Sequence, residues 1–208
     1  MRIDVQDIID GEPIPERFAF AVPDPEQHLR FSDNRNPHVH WHDVPAGTRS
    51  LALLVVDVDA PTDPSDVNQE GRSVSADLPR ADFYHWVLID IPVEVSGIDE
   101  GEDADGVVAM GKAPGETGKG VRGINSYTDF FIDDEQLEGI YGGYDGPCPP
   151  WNDARVHRYH FTIYALDVAS LGLQGEFTGD EVLEAMQGRV LEQSSVMGTY
   201  TLNPELAR

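Results

Sequence analysis

Three runs of apolar and β-branched residues constrain this chain more than anything else in it. Residues 51–58 (Leu-Ala-Leu-Leu-Val-Val-Asp-Val) and 83–91 (Phe-Tyr-His-Trp-Val-Leu-Ile-Asp-Ile) read as buried central strands, the second stopped by Pro92. Residues 159–168 (Tyr-His-Phe-Thr-Ile-Tyr-Ala-Leu-Asp-Val) alternate strongly and predict a third. Little between them is helical. Residues 62–82 are polar, with Pro64 and Pro79, and predict a long excursion. Residues 94–145 are rich in Gly and Asp and leave room only for short strands, for example around Val107-Val108-Ala109. Residues 13–45 hold short strand-like pieces such as 18–22 among Pro, Asn, Asp and His. One helix signal stands out. Thr178 and Glu181 have capping-box spacing, and Val182, Leu183, Met186 and Val190 follow at helical intervals. The helix is expected over 179–191, with Gly188 as its weak spot, before a short strand near 196–202. No strand–helix–strand alternation appears. The chain therefore predicts a mainly β, antiparallel fold with one or two helices near the C-terminus, in one domain spanning 1–208.

Charge narrows the partners. With 38 Asp and Glu against 14 Lys and Arg, the chain carries a formal net charge of -24. No basic patch could hold a nucleic-acid backbone, and no run approaches the ~20 apolar residues of a membrane span. Nucleic acid and membrane insertion are excluded as expectations. Lysine occurs only at 112 and 119, and the acid is dispersed, a pattern suited to a salt-rich cytoplasm. The single cysteine, Cys148, excludes an internal disulfide, and the first residues carry no apolar signal core, so the expected location is cytoplasmic.

The candidate chemistry lies in two separated segments. Asp57-Val58-Asp59-Ala60-Pro61 ends the first strand, and Tyr84-His85-Trp86 lies in the second. Asp57 and Asp59, two apart on a strand, are expected on one side, where they hold a histidine or a ligand, or else cap the following turn. His85 is a ligand group or a core histidine; Trp86 packs on the opposite face. Gly146-Pro147-Cys148-Pro149-Pro150 is a rigid turn, since proline fixes φ and removes donors. Cys148 there lacks an orienting third group and reads as inert. His157 and Tyr159 share one face of the third strand, while Arg158 shares the other with His160 and suits either an anion or a structural ion pair. His38, His40 and His42 alternate along a strand-like piece and offer a second reading, a metal-dependent hydrolase. The Gly111-Lys112 to Gly118-Lys119-Gly120 run lacks a phosphate-loop pattern and reads as a loop.

Taken in order, these segments resemble the phosphatidylethanolamine-binding protein family, in its bacterial and archaeal Raf-kinase-inhibitor-like branch. The family's Asp-Pro-Asp-Ala-Pro motif is similar to residues 57–61, with Val58 replacing the proline, and its Gly-Pro-x-Pro-Pro motif to 146–150 followed by His157-Arg158-Tyr159. The resemblance implies a central antiparallel sheet flanked by a smaller one. It implies a non-enzymatic pocket for a phosphate-like anion or phosphorylated small molecule, with no cofactor, and a possible protein partner. Carried over by position, the pocket comprises Asp57, His85, the turn with Gly146, Pro147 and Pro149, His157 and Tyr159. Asp59 and Pro61 would shape its rim, and Arg158 would brace it from behind. The longer 62–82 segment is expected to cover it.

Overall fold

A computed structural model describes residues 1–207. In chain order it contains β1 (Arg2–Val5), β2 (Ala21–Asp24), β3 (His28–Phe31), β4 (Val39–His42), β5 (Ser50–Pro61), β6 (Arg80–Ile91), β7 (Gly97–Ile98), β8 (Gly115–Thr117), β9 (Gly120–Arg122), α1 (Tyr127–Phe130), β10 (His157–Leu166), α2 (Gly179–Ala185) and β11 (Val190–Tyr200). Six strands form the central sheet in the order β11-β10-β5-β6-β9-β8, every pair antiparallel. A three-stranded sheet, β1-β4-β7, and the hairpin β2-β3 complete the β structure.

The uninterrupted apolar run of β5 follows from its position. Leu51, Leu53 and Val55 face a core shared with Ile3, Val39, Trp41 and Ile98 of the small sheet. Ala52 and Leu54 face a second core with Phe177, Val182 and Met186 around α2. A strand covered on both faces has no position that favours a polar residue.

Two irregularities in this sheet matter for function. Val55 and Val56 are adjacent on β5, yet they oppose Trp86 and Tyr84, so His85 is the extra residue of a β-bulge. Trp86 consequently packs into the first core and Tyr84 into the second, although alternation would put them together. On β5 the register slips again between Asp57 and Ala60. That slip overturns the expectation that Asp57 and Asp59 share a side.

Other boundaries also differ from the sequence reading. The capping box at Thr178 and Glu181 is present, but α2 stops at Ala185. Gly188 takes φ +71, which breaks the helix, and Val190 already opens β11, an eleven-residue strand in place of a short one. Residues 107–109 form no strand; the short strands of this region are β7, β8 and β9. The piece at 18–22 is strand only from Ala21.

Candidate pocket between the two motifs

Strands β5 and β10 are neighbours, and Tyr159 lies opposite Asp57. This pairing brings the two distant segments together. Between them lies a cavity of about 130 Å³. Asp57, His85 and His157 reach it from β5, β6 and β10; Pro61, Cys148, Pro149 and Pro150 come from the motif turns; Phe83, Tyr127 and Phe130 supply aromatic wall. Pro64, Val67 and Asn68 of the 62–82 excursion form its outer side.

His157 is fully enclosed and doubly held. Its Nδ1 lies 2.7 Å from Asp57 Oδ2 and its Nε2 3.0 Å from Asp153 Oδ2. Both carboxylates are acceptors, so both ring nitrogens donate and the ring is an imidazolium. Burial opposes that charge, but the bonds to Asp153 and Asp57 outweigh it and raise the pKa to about 9. Arg80 grips Asp153 from the other side at 2.5 and 3.0 Å. Burial would raise the Asp153 carboxyl; His157 and Arg80 hold it below its usual range.

Asp59 belongs to a separate arrangement. Its buried carboxylate takes Arg158 Nε at 2.8 Å, Arg158 Nη2 at 3.0 Å and Arg155 Nη1 at 3.0 Å. Against burial, Arg158 and Arg155 pull its pKa down to about 2. The Asp59 N–H also donates to Asp57 Oδ1 at 2.8 Å, the turn-capping role that the spacing allowed. Asp59 therefore sits behind the cavity with Arg158, not on its rim.

His85 differs from His157. Its Nδ1 lies 2.8 Å from the carbonyl oxygen of Asp145, which can only accept, so Nδ1 carries the proton. Among the described residues Nε2 has no hydrogen-bond partner. Burial lowers the pKa of this ring, which favours the neutral form with Nε2 as an acceptor. Tyr159 packs edge-on against His85, ring centroids 5.2 Å apart, and its buried hydroxyl has no hydrogen bond.

The Gly146–Pro150 turn is fastened from beneath. A Cβ on Gly146 would lie 1.9 Å from the Phe18 carbonyl oxygen, so only glycine fits. The Gly146 N–H donates to Asn34 Oδ1 at 2.8 Å, and Pro147 O accepts from Phe20 N at 3.0 Å. Neither residue lines the cavity. Buried Asp145 anchors the same turn through Lys112 Nζ at 2.8 Å, Asn34 Nδ2 at 2.8 Å and Asn125 Nδ2 at 2.9 Å. Cys148 reaches the cavity, and burial pushes its thiol up to about 12, so it stays protonated at neutral pH.

The family model for phosphatidylethanolamine-binding proteins matches residues 4–201. This chain belongs to the phosphatidylethanolamine-binding protein family. It is 31% identical to a UPF0098 protein of Methanothermobacter thermautotrophicus, over 85% of this chain and 89% of that one. It is 30% identical to the UPF0098 protein YbhB of Escherichia coli, over 88% and 90%. A solved structure described as a putative phosphatidylethanolamine-binding protein homologue from Chlamydia trachomatis superposes with a TM-score of 0.63 at 27% identity, covering 96% and 95%. Escherichia coli YbcL, described as a new member of the mammalian family, shares the fold with a TM-score of 0.67 at 24% identity.

Of the residues expected in the family pocket, Asp57, Pro61, His85, Pro149 and His157 line the cavity. Tyr159 lies buried against His85. His38, His40 and His42 lie in or beside β4 of the small sheet, where His38 faces Asp99 and His42 faces Asp4 and Asp43. No cluster of three or more metal-ligating side chains occurs among the described residues. Sequence reasoning missed Arg80, Asp145, Asn152 and Asp153. The scarcity of lysine could have pointed to Lys112, and through it to a buried acid.

Proposed function

We propose that this member of the family is a binding protein whose cavity takes a small molecule by a phosphate-like head group. The observation that carries this reading is the unequal commitment of the two histidines. His157 uses both nitrogens to hold Asp57 and Asp153, and so serves as a brace. His85 uses only Nδ1 and keeps Nε2 for a visitor. Neutral Nε2 accepts from the O–H of a singly protonated phosphoryl group; protonated, it donates to a phosphoryl oxygen. A monoanion suits both states. The cavity, about 130 Å³, has room for a compact head group, and Phe83, Phe130 and Val67 would contact its apolar part.

Catalysis is not part of this reading. The Cys148 thiol is held protonated, His157 has no free nitrogen, and the one free ring nitrogen at the cavity, His85 Nε2, is assigned to holding the ligand. The metal-dependent hydrolase is not favoured, because its three histidines lie on a different sheet from the cavity. A regulatory role toward a partner protein is compatible with occupancy of the cavity as its signal.

Calorimetric titration with inorganic phosphate and with phosphoethanolamine tests the reading. Affinity should rise as pH falls from 8 to 6, by at most about tenfold per unit for one coupled proton. His85→Ala should abolish the rise and most of the affinity. Binding that ignores both pH and this substitution would overturn the proposal.

A further inference from the structure

The side chains at the base of the cavity offer more acceptors than a site for a bare anion needs. Asp57 Oδ2 accepts from His157 and Asp57 Oδ1 from the Asp59 N–H, so each oxygen keeps a further lone pair. His85 Nε2 is a second acceptor, because Nδ1 carries the proton to the Asp145 carbonyl. Donors are scarce. Both N–H groups of His157 are taken, the Tyr127 hydroxyl donates to Gly146 O at 2.7 Å, and Pro149 and Pro150 have no N–H. The Tyr159 hydroxyl is buried and is not part of the lining, and Asn68 lies on the exposed outer side. On the motif turn, the Cys148 N–H makes no hydrogen bond among the described residues.

Nor does the base carry surplus positive charge. Asp57 and Asp153 are paired with His157 and Arg80, and Asp145, whose carbonyl holds His85, is paired with Lys112. Arg155 and Arg158 are held by Asp59. Burial keeps Tyr127, Tyr159 and Cys148 protonated. An oxyanion that brought only lone pairs would meet those of Asp57 and His85 with no proton between them. Buried acceptors left unmet in this way weaken binding.

We propose that the cavity selects its ligand by an acid proton: it takes a phosphomonoester or inorganic phosphate as the protonated monoanion, and rejects phosphodiesters and sulfate. This rests on the cavity being a phosphoryl site, as proposed above. The ligand's P–O–H donates to His85 Nε2, and the Cys148 N–H is the donor for a free phosphoryl oxygen. The inorganic monoanion has a second O–H for Asp57; a monoester has only the first. A phosphomonoester has its second pKa at about 6, so the required form is populated near neutral pH. Sulfate matches phosphate in size but carries no proton there. A phosphodiester matches the monoanion in charge but has no O–H to give, and the same holds for membrane phospholipid heads that are diesters. A site built to hydrogen-bond a ligand O–H rejects the analogue that lacks it far more strongly than an apolar wall rejects a misfit.

Calorimetric titration of the full chain at constant ionic strength, with inorganic phosphate, methyl phosphate, dimethyl phosphate and sulfate, tests this. Sulfate controls for size and dimethyl phosphate for charge. At pH 6 the first two should bind, and the last two at least about tenfold more weakly. Between pH 8 and 6 only the first two should strengthen, since they alone gain a proton. Sulfate or dimethyl phosphate binding as tightly as methyl phosphate would overturn the proposal and leave the head-group reading standing. So would a sulfate affinity that climbs alongside that of phosphate as pH falls, because the selecting proton would then belong to His85 and not to the ligand. If none of the four binds, the head-group reading fails and this proposal fails with it.

Discussion

His157 is held by two carboxylates, which together outweigh the cost of enclosing its charge. The consequence is a pH dependence whose sign can be worked out. The folded pKa of about 9 exceeds the ordinary 6.5, so this proton stabilises the fold fully below 6.5 and progressively less up to 9. Urea melts between these limits should show stability falling with pH, and His157→Gln should flatten the fall. Asp153 works in the opposite sense. Its lowered pKa stabilises the fold above the ordinary 3.8, and that contribution disappears as the pH falls through its folded value. Asp153→Ala leaves Arg80 and His157, 6% and 1% exposed, without their shared anion. Removing one partner from such a buried set costs about 3–5 kcal/mol. A loss below about 1 kcal/mol in chemical denaturation would contradict this account of the network.

At the level of elements, the 62–82 excursion covers one side of the cavity because Asn152 organises it. The Asn152 side chain accepts from Asn68 N at 2.9 Å and donates to the carbonyl oxygens of Asp66, Gln69 and Arg72 at 2.8, 3.3 and 3.2 Å. Asn152→Ala should cost about 1–3 kcal/mol and speed amide exchange across residues 66–74 while leaving β5 and β10 protected. Strands β5, β6 and β10 were legible in the sequence because burial on both faces writes itself as an apolar run. The capping box was legible because it is local. The end of α2 was not, because Val190 fits a helical period and a β-strand equally well, and only Gly188 separated the two. The split between Asp57 and Asp59 was hidden for a different reason: a register slip belongs to a pair of strands, and one strand's sequence does not record it. The cavity residues reached by motif were legible through family resemblance. Asp145 and Asp153 were not, since in a chain with 38 acids two buried ones carry no mark.

Apart from buried Asp57, Asp59, Asp103, Asp145 and Asp153, the acidic residues of the molecule reach its surface, at a net charge of -24. We expect the fold to need salt: dialysis into dilute buffer should lower the thermal midpoint, and molar KCl, with a screening length of roughly 3 Å, should restore it. Full ellipticity and an unchanged midpoint at low ionic strength would remove the case for salt adaptation. The order of strands has a further consequence, for how the molecule comes into being. Asp57 and His157, 100 residues apart in the chain, meet only when β10 docks on β5. Closing loops of that length is slow, and little in this topology rewards an early partial closure. The cavity should therefore be among the last features to appear during refolding. Ligand capture, followed in time, would lag behind the recovery of strand signal and would count only those molecules that had completed the climb.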